Sequence, residues 1–321
     1  MAAAHHNPGL SVAETDALTR RITWLTAGAA LLLLAVKLAA WTVSGSVALL
    51  ASATDSALDL LASLVTFFAV RYAASPADAE HRYGHGKAEA FASLVQGGLV
   101  LFSAALIGRE AVDRIFDPRP LAHEGWAVGV MLVSLAVTSL IVLAQSAVVR
   151  RTGSLAVAGD RAHYFADFAS NLIAIGGIGA AALTERPVLD AAAGLLVAAW
   201  LVWSAVRVVR GAARHLMDHE LPDEAREAVL QGLFADPAIQ GVHQLRTRAS
   251  GPNVHIQAHV DLDPGLSLME AHEIVARAEG RLRRLHPAAD VILHPDPKGH
   301  AEEHQEDYSE EGACRAPARA R

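Results

Sequence analysis

Cysteine is nearly absent: Cys314 is the single one in 321 residues. A lone thiol builds no disulfide framework and no CxxC redox or zinc motif, so any metal this chain binds must be held by histidine and carboxylate. Charge is also scarce. Asp, Glu, Lys and Arg make up 19% of the chain, where an ordinary soluble domain carries about 25%. The formal net charge of -7 leaves no basic surface for nucleic acid. No GxxxxGK[ST] phosphate loop occurs. YGHGKAEA comes nearest, but His81 stands where the first glycine belongs, so ATP is not expected as a partner. AHEIVARAEG starts like a zinc-protease HExxH and has Ala276 in place of the second histidine.

What the chain has instead is apolar length. Hydrophobic residues make up 52% and the mean hydropathy is +0.28, and the excess lies in the first two-thirds. Six segments approach the roughly 20 apolar residues that cross a bilayer: about 22–43, 47–71, 90–115, 126–149, 160–183 and 188–210. Gly97, Gly98, Gly176, Gly177, Gly179 and Gly194 fall inside them and would permit close helix packing, or are simply tolerated there. Arg20, Arg21, Arg71, Arg82, Lys87, Arg150, Arg151, Arg161, Arg207, Arg210 and Arg214 lie on one side, against Arg114, Arg119 and Arg186 on the other. The richer side is expected to be cytosolic, and with it both termini. A polar stretch separates Met1 from the first apolar run, unlike a cleavable signal peptide. With a bacterial source, the inner membrane is the expected location.

The last third changes character. Pro222–Ala235 reads as a helix with an acidic first turn, Val242–Ser250 and Asn253–Asp261 as strands, Ser267–Leu285 as an amphipathic helix and Asp290–His294 as a short strand. The expected fold is therefore an all-α, six-helix transmembrane domain followed by a cytosolic α+β domain of ferredoxin-like, metallochaperone-like type. Expected boundaries are a cytosolic segment at 1–20, the transmembrane domain at 21–214, the cytosolic domain at 215–297 and a disordered tail at 298–321.

The chemistry lies in ionisable residues within the apolar spans, which are costly there and mark ion pathways. Asp55 and Asp59 stand four apart in the second span, in SATDSALDLLASLVTFF. His163 and Asp167 stand four apart in the fifth, in GDRAHYFADFASN. Each pair shares a helix face. If the faces meet, they offer three oxygens and one nitrogen, a donor set suited to tetrahedral Zn²⁺, with no thiolate to favour Cu(I). The same groups must lose protons to bind metal, so a proton gradient could drive metal export without ATP. Lys37, in the first span, either snorkels to an interface or faces a polar cavity. Asp78, His81 and His85, spaced by three and four in a loop, could bind one ion; alternatively they are a solvated loop.

SGSVALLASATDSALDL, SPADAEHRYGHGKAEAFASL, GDRAHYFADFASN, LMDHELPDE and LRTRASGPNVHIQAHVDLD run in the order seen in the cation diffusion facilitator family. From about residue 20 to 297 the chain resembles that family, especially its bacterial zinc and ferrous-iron efflux branch. The resemblance implies a homodimer that exchanges metal for protons. It also implies a transport site at Asp55, Asp59, His163 and Asp167, a loop site at Asp78, His81 and His85, and a cytosolic site at His243, His259, His272, His294 and Asp296. Pro295 departs from the pattern, since it cannot lend a ligand between His294 and Asp296. His255 shares the face of His259 and is a competing candidate. Lys87 and Asp218, at the cytosolic ends of the third and sixth spans, are expected to pair and tie the domains together. The leading reading is a transporter whose substrate is Zn²⁺, with Fe²⁺ or Cd²⁺ as alternatives, protons as counter-substrate and lipid as surroundings. Its rival is a membrane-bound metal sensor or scaffold that binds without transport. An intramembrane enzyme is a distant third, as no nucleophile accompanies the carboxylates.

Overall fold

The computed structural model describes residues 11–44, 47–116, 125–184, 188–299 and 314–315. Some side chains within the helices, Asp55 and those of 173–190 among them, lie outside the described set. The chain divides into two compact units, one mainly Glu14–Leu216 and the other mainly Met217–Arg321.

The first unit contains six long helices: α1 (Val12–Ser44), α2 (Val47–Ala73), α3 (Ala88–Phe116), α4 (Gly125–Thr152), α5 (Leu155–Thr184) and α6 (Val188–Leu216). At 27 to 33 residues, each is about 40–50 Å long, more than the roughly 30 Å hydrocarbon core needs. Among the described residues, five of them are long and apolar enough to cross a membrane. In the remaining one, α5, most side chains of the second half lie outside the described residues, and the first half carries Asp160, Arg161, His163 and Asp167. Burial is inverted relative to a soluble bundle. Ala30, Ala62, Ala92, Ala104, Ala205 and Ala212 are inside, while Leu25, Leu32, Phe68, Leu140 and Leu196 point outward. In lipid, apolar bulk gains nothing by hiding, and helices associate through small residues that let backbones approach.

Three glycines carry that approach. A Cβ at Gly97 would stand 2.6 Å from Val209 Cγ2, one at Gly194 would stand 3.0 Å from Ala111 Cβ, and one at Gly159 would stand 2.9 Å from the Cα of Ser93. Gly98 has open space around it, so of the adjacent pair only Gly97 packs. Gly176, Gly177 and Gly179 lie outside the described side chains. Gly159, which the sequence pattern did not single out, presses α5 onto α3. The same junction is fastened by Glu89 of α3, whose Oε2 accepts from Ser154 Oγ at 2.6 Å and from the Leu155 N–H at 3.0 Å. A carboxylate from a neighbouring helix thus caps the free N–H groups that open α5.

The second unit holds α7 (Asp223–Phe234), β1 (Gly241–Ser250), β2 (Asn253–Leu262), α8 (Leu268–Leu285), β3 (Ala289–Pro297) and β4 (Cys314–Arg315). The sheet order is β3-β2-β1-β4, with β1 and β2 antiparallel and β2 and β3 parallel. The parallel step requires a crossover, and α8 supplies it. The edge strand β4 is two residues long, Cys314–Arg315, paired to Val242 and Gly241 within the region expected to be disordered. Ser267 and Glu270 form a capping box that starts α8. Val254, Ile256, Ala258, Val260 and Leu262 on alternate positions of β2 meet Val229 and Leu233 of α7 and Ile274, Ala278 and Leu282 of α8 in one core. That leaves the odd positions of β2, including His255, His259 and Asp261, on the opposite sheet face.

His286, the C-cap of α8, is buried, and burial holds its imidazole below the ordinary range. Burial also lowers His255, helped by Arg248. Both favour the neutral ring in the folded state, so the unfolded chain binds protons more readily. Their contribution to stability is complete above the ordinary histidine pKa of about 6.5 and is lost as pH falls below it. Thermal midpoints of the second unit should therefore drop between pH 7.5 and 5.5, and His286→Gln should flatten the profile. A midpoint independent of pH over that range would remove this account.

Candidate metal sites

Within the membrane unit, Asp59 on α2 and His163 and Asp167 on α5 place one ligand atom each within 4.8 Å of the others. His163 Nε2 lies 3.3 Å from Asp59 Oδ1 and 3.7 Å from Asp167 Oδ2. His163 is buried, and its Nδ1 has no hydrogen-bond partner among the described residues. A buried imidazole aimed at two carboxylates fits a cation better than it fits a core. Asp55, one turn before Asp59 on α2, has its side chain outside the described residues. The helices that carry the site are tied by Tyr164 of α5 and Ser63 of α2, whose hydroxyls are 2.8 Å apart. Lys37 does not snorkel. It is buried and donates to Ser56 Oγ at 2.7 Å, joining α1 to α2.

One turn before His163 lies Asp160, which sequence reading passed over. It is buried and accepts from Gln145 Nε2 of α4 at 2.7 Å and from Gln96 Nε2 of α3 at 3.4 Å. Gln96 also donates to the Ala62 carbonyl and Thr66 Oγ1 of α2, at 2.7 and 3.0 Å. The signal was present in GDRAHYFADFASN: residues 160, 163 and 167 follow the i, i+3, i+7 spacing of one helix face.

The loop trio also comes together. Asp78, His81 and His85 form a second group within 4.8 Å. Asp78 Oδ1 accepts the backbone N–H of His81 and Glu80, at 2.6 and 2.9 Å. These bonds, His81's first, hold its carboxyl below the usual carboxylate range. Its Oδ2 lies 3.3 Å from His85 Nε2, and His85 Nδ1 is 3.3 Å from the Ser75 carbonyl. A backbone carbonyl on Nδ1–H leaves Nε2 as the metal-binding lone pair.

In the second unit, His243, His259 and Asp296 form the third group. Register explains it: His294, His259 and His243 are aligned across β3, β2 and β1, with Asp296 beside Asp261 one row on. Asp296 Oδ2 is 2.8 Å from His259 Nδ1 and 3.2 Å from His243 Nε2, and its Oδ1 is 3.1 Å from His294 Nε2. Asp261, not anticipated, lies 3.4 Å from His243 Nε2. The row depends on an irregularity in β1 between His243 and Arg246, where Gln244 has φ 49°. One extra residue there changes the parity of the strand, so that His243 and Arg246 both face the metal side. His272 is not brought to this row. It stands exposed on α8, which packs on the other sheet face. His255 is separate too, with Nδ1 3.5 Å from Asp290.

Lys87 Nζ reaches the Leu216 carbonyl at 3.4 Å, and Asp218 accepts from Arg248 at 3.3 Å.

A model of the cation efflux transmembrane domain matches residues 23–217, and one of the cation efflux protein cytoplasmic domain matches residues 221–298. The cation-efflux pump FieF of Serratia proteamaculans is 39% identical over 85% of this chain and 90% of its own length. Its namesake in Pectobacterium atrosepticum is 39% identical over 86% and 92%. A solved structure described as "Mode of Action of a Putative Zinc Transporter CzrB (Zn form)" covers 26% of this chain and 98% of its own, at 28% identity and a TM-score of 0.24. With both of its units matched in order and such relatives aligned over most of its length, the chain belongs to the cation efflux, or cation diffusion facilitator, family of transporters.

Proposed function

We propose that this protein exports divalent transition-metal ions, Zn²⁺ first among them, from the cytosol in exchange for protons, by alternating access in a homodimer. One observation carries the reading: two carboxylates and a buried imidazole converge between α2 and α5, within the matched transmembrane domain. A sensor or scaffold needs only the exposed loop and cytosolic groups, whereas ligands placed within spans have little use without a pathway. Asp55 is assigned as the fourth ligand from its position one turn from Asp59. Oxygen and imidazole donors without thiolate suit Zn²⁺, Fe²⁺, Cd²⁺ and Co²⁺, and Zn²⁺ is favoured by the small donor number. The loop trio is assigned a capture role. The histidine row is assigned a bound, structural Zn²⁺, with His294 as its outer member.

The arginine and lysine distribution supports cytosolic termini in a bacterial inner membrane. A Lys87–Asp218 pair is retained as a proposed link. Exchanging the two charges should restore activity lost in each single variant, and absence of rescue removes it.

The test is zinc flux into proteoliposomes under an imposed pH gradient. Uptake that follows the gradient and collapses with a protonophore is expected. Zinc binding without gradient-dependent flux, where a control antiporter works, would move the assignment to the sensor class.

A further inference from the structure

Asp160 is a buried carboxylate that this mechanism leaves unused. Its hydrogen-bond donors Gln96 and Gln145 are amides, and no arginine or lysine is paired with it among the described residues. The facing charged or titratable groups are Asp59 on α2 and His163 and Tyr164 on its own helix, while α3 and α4 present Gln96 and Gln145. An anion that deep among apolar helices is expensive, and two neutral donors offset only part of the cost.

The two glutamines differ in how their amides are anchored, although the Oε1 of each lacks a hydrogen-bond donor among the described residues. Gln96 is anchored by the Ala62 carbonyl and Thr66 on α2, so its orientation is set from elsewhere. Gln145 is fully buried, bonds Asp160 at 2.7 Å, and has an Oε1 without a hydrogen-bond donor among the described residues. An amide presents N–H on one side and C=O on the other. Gln145 can therefore donate to an Asp160 carboxylate or, turned over, accept from an Asp160 carboxylic acid. Each protonation state keeps one good bond.

We propose that Asp160 is a proton-holding site distinct from the metal ligands, with Gln145 as the amide that accommodates both the anion and the acid. The proposal rests on the antiport reading. It adds to that reading a place for a counter-substrate proton and a reason for its coupling to metal. His163 follows Asp160 by one turn, about 5 Å along the helix. A divalent cation on Asp59, His163 and Asp167 stabilises the Asp160 anion, and its departure removes that stabilisation. A proton from water on the proton-rich side then adds to a carboxylate oxygen, giving the neutral acid. The next metal to bind sends it to water on the opposite side. Only the O–H bond forms and breaks.

The experiment measures zinc and proton movement together in proteoliposomes, comparing wild type with Asp160→Asn, which mimics the acid and stays bonded to Gln145. The expected result is a proton-to-zinc ratio lower by about one in the variant. An unchanged ratio assigns Asp160 a structural role and overturns the proposal. A second readout covers a variant that fails to fold. The infrared band of a protonated carboxyl in the wild type should disappear on zinc addition and shift in frequency in Gln145→Leu. A band that ignores both overturns the proposal as well. Wild type that moves zinc with no proton defeats the antiport reading itself and the coupling role with it. A normal wild-type ratio with an unchanged Asp160→Asn ratio defeats the Asp160 proposal alone.

Discussion

Asp59→Ala is expected to lower gradient-driven zinc flux by more than about 100-fold while leaving the protein folded. Loss of a partner that merely orients a metal ligand costs about 10–100-fold in affinity or activity, and removing a ligand should cost more. Asp59 is the described contribution of α2 to the site, 3.3 Å from His163 Nε2. Its loss leaves the proposed ligand Asp55 as the one α2 donor facing His163 and Asp167 of α5, so the four-donor set is broken. The side chain is 23% exposed and belongs to none of the buried apolar clusters. Its removal should not unseat α2, which Ser63, Ala62 and Thr66 still tie to α5 and α3. The check is initial zinc uptake at a fixed pH gradient, with size-exclusion profiles of both proteins. Uptake within about threefold of wild type, in a monodisperse variant, would take Asp59 off the pathway.

Leu282→Ala should destabilise the cytosolic unit by about 2–5 kcal/mol. Leu282 is fully buried, in the core that joins α8 to the sheet and to α7. It packs against α7: a Cβ on Gly232 of α7 would stand 3.1 Å from Leu282 Cδ2 and 3.0 Å from Leu285 Cδ1. A site so tightly walled has little room to collapse into the cavity, which places the cost toward the upper half of the range. For a domain of this size each kcal/mol lowers the thermal midpoint by roughly 4–8 °C. Hydrogen exchange at the β2 amides should accelerate accordingly, while exchange in the membrane helices stays as in wild type. A loss under about 1 kcal/mol would show that α8 is not an essential wall of this core.

The pattern of apolar runs, capping residues and alternating strands was enough to anticipate six long helices and an α-β-β-α-β domain. These features repeat at local periods, 3.6 or 2 residues, which a sequence displays directly. The same holds for pairings within one element. Asp59 shares its helix face with Asp55, His163 shares its face with Asp167, and Asp78, His81 and His85 lie within one short loop, where spacing alone sets proximity. Asp160 lay on the same legible face but was passed over, because its role depends on Gln96 and Gln145 from two other helices. Gly97 and Gly98 look alike in sequence, yet only Gly97 meets a neighbour.

The sequence by itself determined that any metal this chain binds must be held by histidine and carboxylate, that ionisable groups lie inside apolar spans, and that a less apolar α+β domain follows. Tertiary structure alone decided which of those groups meet. It brought α2 against α5 so that Asp59 faces His163, aligned His243, His259 and His294 across three strands, and left His272 on the far side of the sheet. The β1 irregularity at Gln244 shows why. One additional residue reverses which face every later side chain occupies, and nothing in the local composition announces where the strand will admit it.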